Sequence, residues 1–367
     1  MKDLSLYIHI PFCKSKCYYC DFNSGVCSES QQKRYIDRLV NEIEKKQEKI
    51  KGYRVVTIYI GGGTPSVLGI ENLEKLLSSI KNNIELKDLR EYTIELNPGT
   101  ITKEKIEVVK KYGINRVSLG LQTTKNELLK SIGRIHTYEE FKENYKMIKK
   151  TGIENISVDL MFSLPNQTIK DLEESIDELI NLDVKHISCY GLTVEENTKF
   201  GKDNVSVDEE KDREMYWMMV NKLKKNSYKH YEISNFAKEG YESKHNNVYW
   251  KLGDYLGLGI GSHSFIDNQR YENALDFETY YKEFKRYNLE NISRDGAISE
   301  YVFLGLRILS GISETLFKEK FGVSIYELYN EEINQNIKKG LLKKEKGNIM
   351  LTDKGIDYSN MVFTDFI

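Results

Sequence analysis

Three cysteines, Cys13, Cys17 and Cys20, stand close together near the start of the chain. Their C-x3-C-x2-C spacing puts three thiolates on one short loop, and each thiolate can hold one iron of a [4Fe–4S] cluster. The fourth iron then has no cysteine and is open to an exogenous ligand. Structural zinc sites usually take four ligands, with a second pair downstream. No second pair follows here, so the spacing favours the cluster over zinc.

A glycine-rich segment at 61–66, Gly-Gly-Gly-Thr-Pro-Ser, follows an apolar, strand-like run. Because glycine has no Cβ, such a segment lets backbone groups approach a ligand closely. It lacks the lysine of a phosphate-binding P-loop, so a nucleoside triphosphate is a poor fit. Taken alone, a tight strand-to-helix turn explains these glycines equally well. The cysteines on the neighbouring strand end favour a ligand-binding role.

Three charged residues are candidate partners for a polar ligand. Glu95 ends an apolar strand, which suggests a cationic partner such as an ammonium group. Asp159 lies within an apolar run, and buried acids are seldom left unpaired. It can bind a ribose hydroxyl or simply a backbone N–H, and Arg134 can hold a carboxylate. For each residue alone, a structural hydrogen bond is the simpler explanation.

The elements that position these residues form six strand-then-helix units. The strands are short and mostly apolar on both faces, as buried parallel strands tend to be. We predict strands at 4–10, 55–60, 92–96, 116–119, 156–161 and 186–192, and helices at 31–49, 71–80, 103–112, 138–150 and 168–182. Six such units predict a parallel sheet in an α/β fold, an open three-quarter (β/α)6 TIM-like barrel. Chemistry in such barrels sits at the strand C-termini, where the motifs above fall.

We predict three segments: the partial barrel at 1–195, a connecting region at 196–290 that packs on it, and a C-terminal domain at 291–367. The connecting region carries a methionine and aromatic stripe, which is more often core than a cofactor pocket. Alternating glycines precede His263, which faces either a ligand or the protein interior. Beyond 291, three helical patterns and a hairpin turning at 346–348 predict a winged-helix-like α+β domain. Its wing lacks a broad positive face, so we expect it to cover the barrel or contact a partner.

Charge and composition exclude several classes of partner. The chain carries 54 basic and 56 acidic residues, which argues against binding to nucleic acid. No apolar run approaches membrane-spanning length, so any membrane contact would be peripheral. The first strand begins without a signal peptide, which predicts a cytoplasmic protein with reduced thiols. Cys27 and Cys189 stand apart from the triplet and are expected to be packing residues, with Cys27 the nearer to the cysteine loop.

In order along the chain, the motifs resemble those of the radical S-adenosylmethionine superfamily, and within it the coproporphyrinogen-oxidase-like branch. The segments that carry the likeness are 7–13, 61–66, 95–98, 118–122 and 159–165. The resemblance implies that the methionyl nitrogen and oxygen of S-adenosylmethionine occupy the open iron, and that cluster reduction starts radical chemistry. Position by position, it implies a cofactor lining of Tyr7, Tyr19, Gly62, Gly63, Thr64, Glu95, Gln122, Arg134, Asp159 and Thr193.

Two subgroups of this branch differ just after the cysteines. The oxidase has a further cysteine two residues beyond the triplet, whereas this chain has Phe22 there, as in the HemW-type heme chaperones. The sequence at 245–250 is similar to the H-N-x-x-Y-W signature associated with heme binding in that subgroup. It makes His245 a candidate axial ligand, and Tyr249 and Trp250 candidates to pack on the macrocycle. From residue types alone, a structural loop with a buried histidine is the alternative.

The resemblance therefore implies a heme chaperone that binds a [4Fe–4S] cluster, S-adenosylmethionine and heme, and delivers heme to apo-hemoproteins. The alternative is an oxygen-independent coproporphyrinogen III oxidase, a coproporphyrinogen dehydrogenase-like oxidoreductase that decarboxylates propionates. A barrel whose cysteines bind zinc structurally ranks last.

Overall fold

The computed structural model describes residues 1–367, and six parallel strands lie side by side in chain order at its centre. These strands are β1 (Asp3–Ile10), β2 (Arg54–Gly62), β3 (Glu91–Leu96), β4 (Arg116–Gln122), β5 (Asn155–Phe162) and β6 (His186–Gly191). The helices between them are α1 (Glu29–Lys51), α2 (Ile70–Asn83), α3 (Lys103–Lys111), α4 (Asn126–Ser131), α5 (Tyr138–Lys150) and α6 (Ile169–Asn181). The predicted series of six strand–helix units is confirmed.

The barrel strands have an apolar outer face and a polar inner face, so the prediction of strands apolar on both faces is wrong. The outer residues, among them Ile8, Ile58 and Ile94, belong to the main hydrophobic core. The residues that register aligns on the inner face are Tyr7, Tyr59, Thr93 and Arg116 in one row, and Glu95, Ser118, Ser157 and His186 in the next. Tyrosine and threonine favour strands as isoleucine does. The alternation of polar and apolar residues along each strand is therefore difficult to recognise in the sequence. A polar interior suits a polar ligand.

The connecting region lengthens the sheet at both edges. Its strands are β7 (Lys229–Glu232), β8 (Asn235–Ala237), β9 (Tyr255–Leu258), β10 (His263–Ile266), β11 (Gln269–Glu272) and β12 (Tyr287–Asn291). Strand β8 pairs antiparallel with β6, and β9 pairs parallel with β1. The resulting sheet of twelve strands ends at β12 on one side and β7 on the other, so it stays open as predicted. Because this region shares the main core, the boundary at 195 stays a prediction from the sequence.

The helices of the connecting region are α7 (Lys199–Lys202), α8 (Glu209–Lys225), α9 (Lys244–Trp250) and α10 (Phe277–Lys282). Helix α9 lies where the chain crosses from one edge of the sheet to the other. Glu91, the first residue of β3, accepts hydrogen bonds of 2.8 and 3.0 Å from the N–H groups of Lys244 and His245 at the start of α9. The His245 ring reaches Thr57 of β2. Since Glu91 and Thr57 lie in the N-terminal halves of their strands, α9 closes the end of the barrel opposite the strand C-termini.

The C-terminal region has a hydrophobic core of its own. Its elements are α11 (Arg294–Gly305), β13 (Ile312–Ser313), α12 (Glu314–Phe321), α13 (Ile325–Lys338), β14 (Leu342–Glu345), β15 (Asn348–Leu351), α14 (Asp353–Asp357) and α15 (Ser359–Thr364). Strands β14 and β15 form the predicted hairpin, and β13 adds a third strand. Helix α11 begins at Arg294, where the Ser293 side chain caps it. An ion pair between Arg213 and Asp357 joins this domain to α8.

No helix in the chain has the length and apolar character needed to cross a membrane.

Candidate cofactor site

A cavity of about 160 Å³ opens at the C-terminal ends of the barrel strands. Its wall brings together most of the residues that the sequence singled out. They are Cys13, Cys17, Cys20, Tyr19, Gly62, Gly63, Thr64, Glu95, Gln122, Arg134 and Asp159. The cysteine loop and several strand ends meet here because parallel strands in a barrel end on the same side.

The cysteine loop is held by backbone hydrogen bonds at both of its ends. The Cys13 N–H donates to the Gly25 carbonyl at 2.9 Å, and the Gly25 N–H donates to the Pro11 carbonyl at 3.0 Å. Further along, the Tyr18 N–H donates to the Ile132 carbonyl at 3.0 Å. These contacts tie the loop to the segment at Gly25 and to the segment after α4. These hydrogen bonds give the loop a defined path.

The glycine loop is pressed against the cysteine loop. The Thr64 N–H donates to the Phe12 carbonyl at 2.7 Å. A Cβ on Gly63 would lie 2.7 Å from that same carbonyl oxygen, and a Cβ on Gly62 would overlap the His9 ring. Gly62 also has a φ of 111°, which side chains with a Cβ rarely adopt. The close approach of the two protein loops thus requires these glycines, in addition to leaving backbone groups on the cavity wall.

Two polar side chains approach the cysteine sulfurs. The Thr64 Oγ1 lies 3.7 Å from the Sγ of Cys13, and the Arg134 Nη1 lies 3.6 Å from the Sγ of Cys17. Arg134 also donates to the Asn97 Oδ1 at 2.9 Å, while its buried Nε has no partner. A guanidinium beside a thiolate stabilises the charged sulfur that binds a metal. The remaining Nε–H is a donor available to a bound ligand.

Glu95 and Asp159 are two half-buried carboxylates whose hydrogen bonds come from uncharged donors. Glu95 accepts from the Tyr59 hydroxyl at 2.7 Å and from the Gly62 N–H at 3.1 Å. Burial raises the pKa of Glu95 to about 7. Burial also raises the pKa of Asp159, which the Ser118 hydroxyl approaches at 3.3 Å. Because a nearby cation favours the ionised form of an acid, this wall of the cavity is suited to a ligand carrying an ammonium group.

Gln122 enters the cavity from a strained strand end. Its φ of 77° is left-handed, which is uncommon for a residue other than glycine. The register of β4 against β5 shifts between Gly120 and Gln122, and this bulge leaves the Gly120 carbonyl to accept from Arg134. Strained backbone of this kind persists where the surroundings hold it in place, and it is common at functional sites.

Two of the residues implied by the resemblance are outside the cavity wall. Tyr7 lies on the inner face of β1, with its hydroxyl 2.9 Å from the Nδ1 of His9. Thr193 is exposed beyond the end of β6. Sequence reasoning in turn missed Asn97 and Ser118, which do line the cavity. Ser118 precedes Gln122 by four residues on one strand, so strand alternation was the signal that could have found it.

The predicted heme candidates lie away from this cavity. His245 is buried, with its Nδ1 2.8 Å from the Thr57 hydroxyl and its Nε2 2.8 Å from the Tyr249 hydroxyl. Both ring nitrogens are therefore hydrogen-bonded, and burial lowers the pKa of His245 to about 3. This environment matches the alternative to heme binding given in the sequence analysis, a structural segment with a buried histidine. Of the three candidates, Trp250 alone lines a large groove, one that lies between the connecting region and the C-terminal domain.

The other residues noted in the sequence lie outside the cavity as well. His263 is exposed on β10, with its Nε2 3.4 Å from the Glu272 carboxylate. Cys189 is buried in the main core, as expected of a packing residue. Cys27 is half-buried and lines a separate surface cavity beside Phe12 and Phe277.

The cavity fits an iron–sulfur cluster with a small zwitterionic ligand beside it. The three sulfurs share one wall without converging on a single point, and a four-iron cluster takes one thiolate per iron. Glu95 lacks a cation, and the Arg134 Nε lacks an acceptor. These two groups match the ammonium and carboxylate ends of an amino acid.

Comparison with known families agrees with this site. The profile of the Radical SAM superfamily matches residues 7–179, and that of the HemN C-terminal domain matches residues 292–358. Coproporphyrinogen III oxidase (HemN) from Escherichia coli has the same fold, with a TM-score of 0.87 and 20% identity over 100% of this chain and 90% of that chain. The fold and the cysteine loop thus define a radical S-adenosylmethionine protein, a class that implies a [4Fe–4S] cluster and S-adenosylmethionine.

Full-length relatives narrow the assignment. The heme chaperone HemW of Lactococcus lactis subsp. lactis is 40% identical over 100% of this chain and 98% of that protein. HemW of Bacillus subtilis is 37% identical over 99% of each chain, and HemW of Escherichia coli is 38% identical over 72% of this chain and 70% of that protein. The chain therefore belongs to the HemW family.

Proposed function

We propose that this protein is a heme chaperone that holds a [4Fe–4S] cluster and S-adenosylmethionine at the barrel mouth, binds heme and delivers it to apo-hemoproteins. The observation that carries the proposal is Phe22. It stands where the oxidase subgroup has a further cysteine, and its side chain, 62% exposed, lies at the wall of the cofactor cavity. Phenylalanine offers no thiol, so the triplet ends at Cys20.

The residues of the cavity have complementary roles in this proposal. Cys13, Cys17 and Cys20 each bind one iron. Glu95 accepts hydrogen bonds from the methionyl amino group of S-adenosylmethionine, and Arg134 donates to its carboxylate. When bound, the two cofactors supply one-electron chemistry, while the protein binds and orients them.

The names of the relatives support the heme part of the proposal. The Lactococcus and Bacillus proteins, both similar over nearly the full length, are named heme chaperones. The oxidase from Escherichia coli shares the fold at 20% identity, and a shared fold does not carry an activity with it. Heme delivery is therefore favoured over decarboxylation of coproporphyrinogen III.

A direct comparison of the two activities tests the proposal. The cluster is reconstituted anaerobically, and one portion receives heme while another receives coproporphyrinogen III, S-adenosylmethionine and a chemical reductant. We expect a protein-bound heme absorption band in the first portion and no decarboxylated porphyrinogen in the second. Decarboxylated product without heme binding would overturn the proposal in favour of the oxidase.

A further inference from the structure

Lys105, near the start of α3, places its ammonium group against two of the loops at the barrel mouth. The Nζ donates to the Ser66 carbonyl at 2.6 Å and to the Thr100 carbonyl at 3.1 Å. Ser66 closes the glycine-rich segment after β2, and Thr100 lies in the loop after β3. The N–H of Lys105 is fixed as well, because it donates to the Thr102 side chain that caps the helix. Lys105 therefore bridges two loops that carry residues of the cofactor cavity.

Lys105 has no carboxylate partner. Burial and the positive charge of Lys14 lower the pKa of Lys105, whereas a carboxylate beside it would raise that pKa. Lys103 on the same helix is different, since its side chain is 77% exposed and lies 3.8 Å from the Glu107 carboxylate. A lysine side chain that is held in one conformation loses rotamer freedom. The contacts of Lys105 with the two loops are the interactions that offset this loss.

Two hydroxyl groups join the same loops in a closed ring of hydrogen bonds. The Asn97 N–H donates to the Ser66 Oγ at 3.0 Å, and the Thr100 Oγ1 donates to the Asn97 carbonyl at 2.7 Å. The two hydroxyl oxygens lie 2.6 Å apart. Because the hydrogen of the Thr100 hydroxyl is already used, the Ser66 hydroxyl is the donor between them. Each hydroxyl then donates once and accepts once, and hydrogen bonds in such a chain strengthen one another.

The two bridged loops lead directly to the side chains that approach the cysteine sulfurs. In the loop after β3, the Asn97 Oδ1 accepts from the Nη2 of Arg134 at 2.9 Å, and the Nη1 of Arg134 lies 3.6 Å from the Cys17 sulfur. In the glycine-rich segment, the Thr64 Oγ1 lies 3.7 Å from the Cys13 sulfur. A change in the spacing of the two loops would therefore displace both side chains relative to the cysteines.

We propose that Lys105 is a positioning residue for S-adenosylmethionine, because its ammonium group fixes the spacing between the glycine-rich segment and the loop after β3. That spacing sets where the backbone of Gly62 and Gly63 and the guanidinium of Arg134 lie on the cavity wall. Lys105 itself does not line the cavity, so it acts through the loops and does not touch the ligand. This role rests on the proposed function. Lys105 also lies outside every segment that carries the family likeness.

Hydrogen–deuterium exchange of the cofactor-free protein tests the bridge itself. Lys105→Met keeps the length of the side chain and removes the charged donor. In the folded variant, amide exchange at 64–67 and 97–101 should be faster than in the wild type by at least about threefold, while exchange in α6 stays unchanged. Lys103→Met, the matched exposed control on the same helix, should leave the exchange of both loops unchanged.

Binding of S-adenosylmethionine to the reconstituted protein tests the positioning role. Anaerobic calorimetry should show a Kd for Lys105→Met about three- to tenfold above that of the wild type, with the iron content of the cluster retained. Lys105→Arg keeps a cationic donor and should recover most of the lost affinity. Lys103→Met should bind as the wild type does. If Lys105→Met does not fold, Lys105→Gln, which keeps a neutral donor, is measured in its place by the same criteria.

The outcomes separate this role from the proposed function. Wild-type exchange in the two loops or a wild-type Kd in the Lys105 variant would overturn the role of Lys105 and leave the heme chaperone proposal standing. Failure of Lys105→Arg to recover affinity would also overturn it, because the cationic donor would then not be what positions the loops. Wild-type protein that binds no S-adenosylmethionine would overturn the proposed function and the role of Lys105 together.

Discussion

The hydroxyl of Tyr59 donates a hydrogen bond of 2.7 Å to the Oε1 of Glu95. The Tyr59 ring lies 5.2 Å, centroid to centroid, from that of His245, which is part of the helix that closes the barrel floor. The carboxylate at the cofactor cavity is thus held by a side chain that packs on α9. Tyr59 thereby links the cofactor cavity to α9 through direct contacts.

Removing the charge of Glu95 should weaken binding of S-adenosylmethionine. A hydrogen bond to a charged group contributes about 1.5–3 kcal/mol, so Glu95→Gln is expected to raise Kd at least about tenfold. Tyr59→Phe removes one neutral donor and should have a smaller effect, of about two- to tenfold. Anaerobic isothermal titration calorimetry on the reconstituted protein measures both. An unchanged Kd for Glu95→Gln would mean that another group holds the methionyl amino group.

Binding of S-adenosylmethionine should also depend on pH in one direction. Burial raises the pKa of Glu95 to about 7, so below that pH the carboxyl is mostly neutral before the ligand binds. Hydrogen bonds from the methionyl amino group favour the ionised form of Glu95 and lower its pKa, so binding releases protons. Affinity should therefore rise as the pH increases through about 7, and Glu95→Gln should flatten the profile. Affinity that falls with rising pH would contradict this role for Glu95.

Iron and sulfide analysis after reconstitution distinguishes the cluster cysteines from the other thiols. Replacing Cys13, Cys17 or Cys20 with alanine should abolish most cluster assembly, because in the proposed site each thiolate binds a different iron. Cys27→Ala is the matched control, since Cys27 is half-buried and lines a neighbouring cavity. It should retain the iron content of the wild type. Loss of the cluster in Cys27→Ala would show that the loop alone does not define the ligands.

Glu42, buried on α1, joins the barrel to the connecting region. Its carboxylate accepts hydrogen bonds from Lys46 at 2.5 Å, the Gly259 N–H at 2.9 Å and the Tyr280 hydroxyl at 2.8 Å. Glu42→Ala leaves these donors unpaired, and removing one partner of a buried ion pair costs ~3–5 kcal/mol in the free energy of unfolding. Urea denaturation measures the loss. The control is Glu48→Ala on the same helix, a side chain 81% exposed, for which we expect a change below about 1 kcal/mol.

Local signals in the sequence were sufficient to predict the barrel and the residues at the C-terminal ends of its strands. The structure reproduces the predicted bounds of α5 because this helix begins at a capping box, with Thr137 as the N-cap. The cysteine, glycine and acidic motifs lie at strand ends, so the parallel topology was enough to bring them together. Residues such as Glu95 and Asp159 could therefore be placed at one cavity without coordinates.

Contacts between distant segments could not be predicted in this way. Strand β9 pairs with β1, from which it is separated by more than half of the chain, and the added edge strands are too short to show a pattern. The burial of His245 depends on Thr57 and Glu91, which lie far from it in sequence. The motif indicated an important histidine, whereas only these long-range partners show that both of its nitrogens are occupied.

Transfer of heme from this protein to a recipient tests the central claim most directly. Heme-loaded protein is mixed anaerobically with an apo-hemoprotein whose holo form has a distinct absorption band, and the two proteins are then separated. We predict that the recipient acquires heme as this protein loses it, and that the transfer is faster than from a non-specific heme carrier such as serum albumin. Heme that stays bound to this protein, or reaches the recipient no faster than from albumin, would contradict the chaperone account.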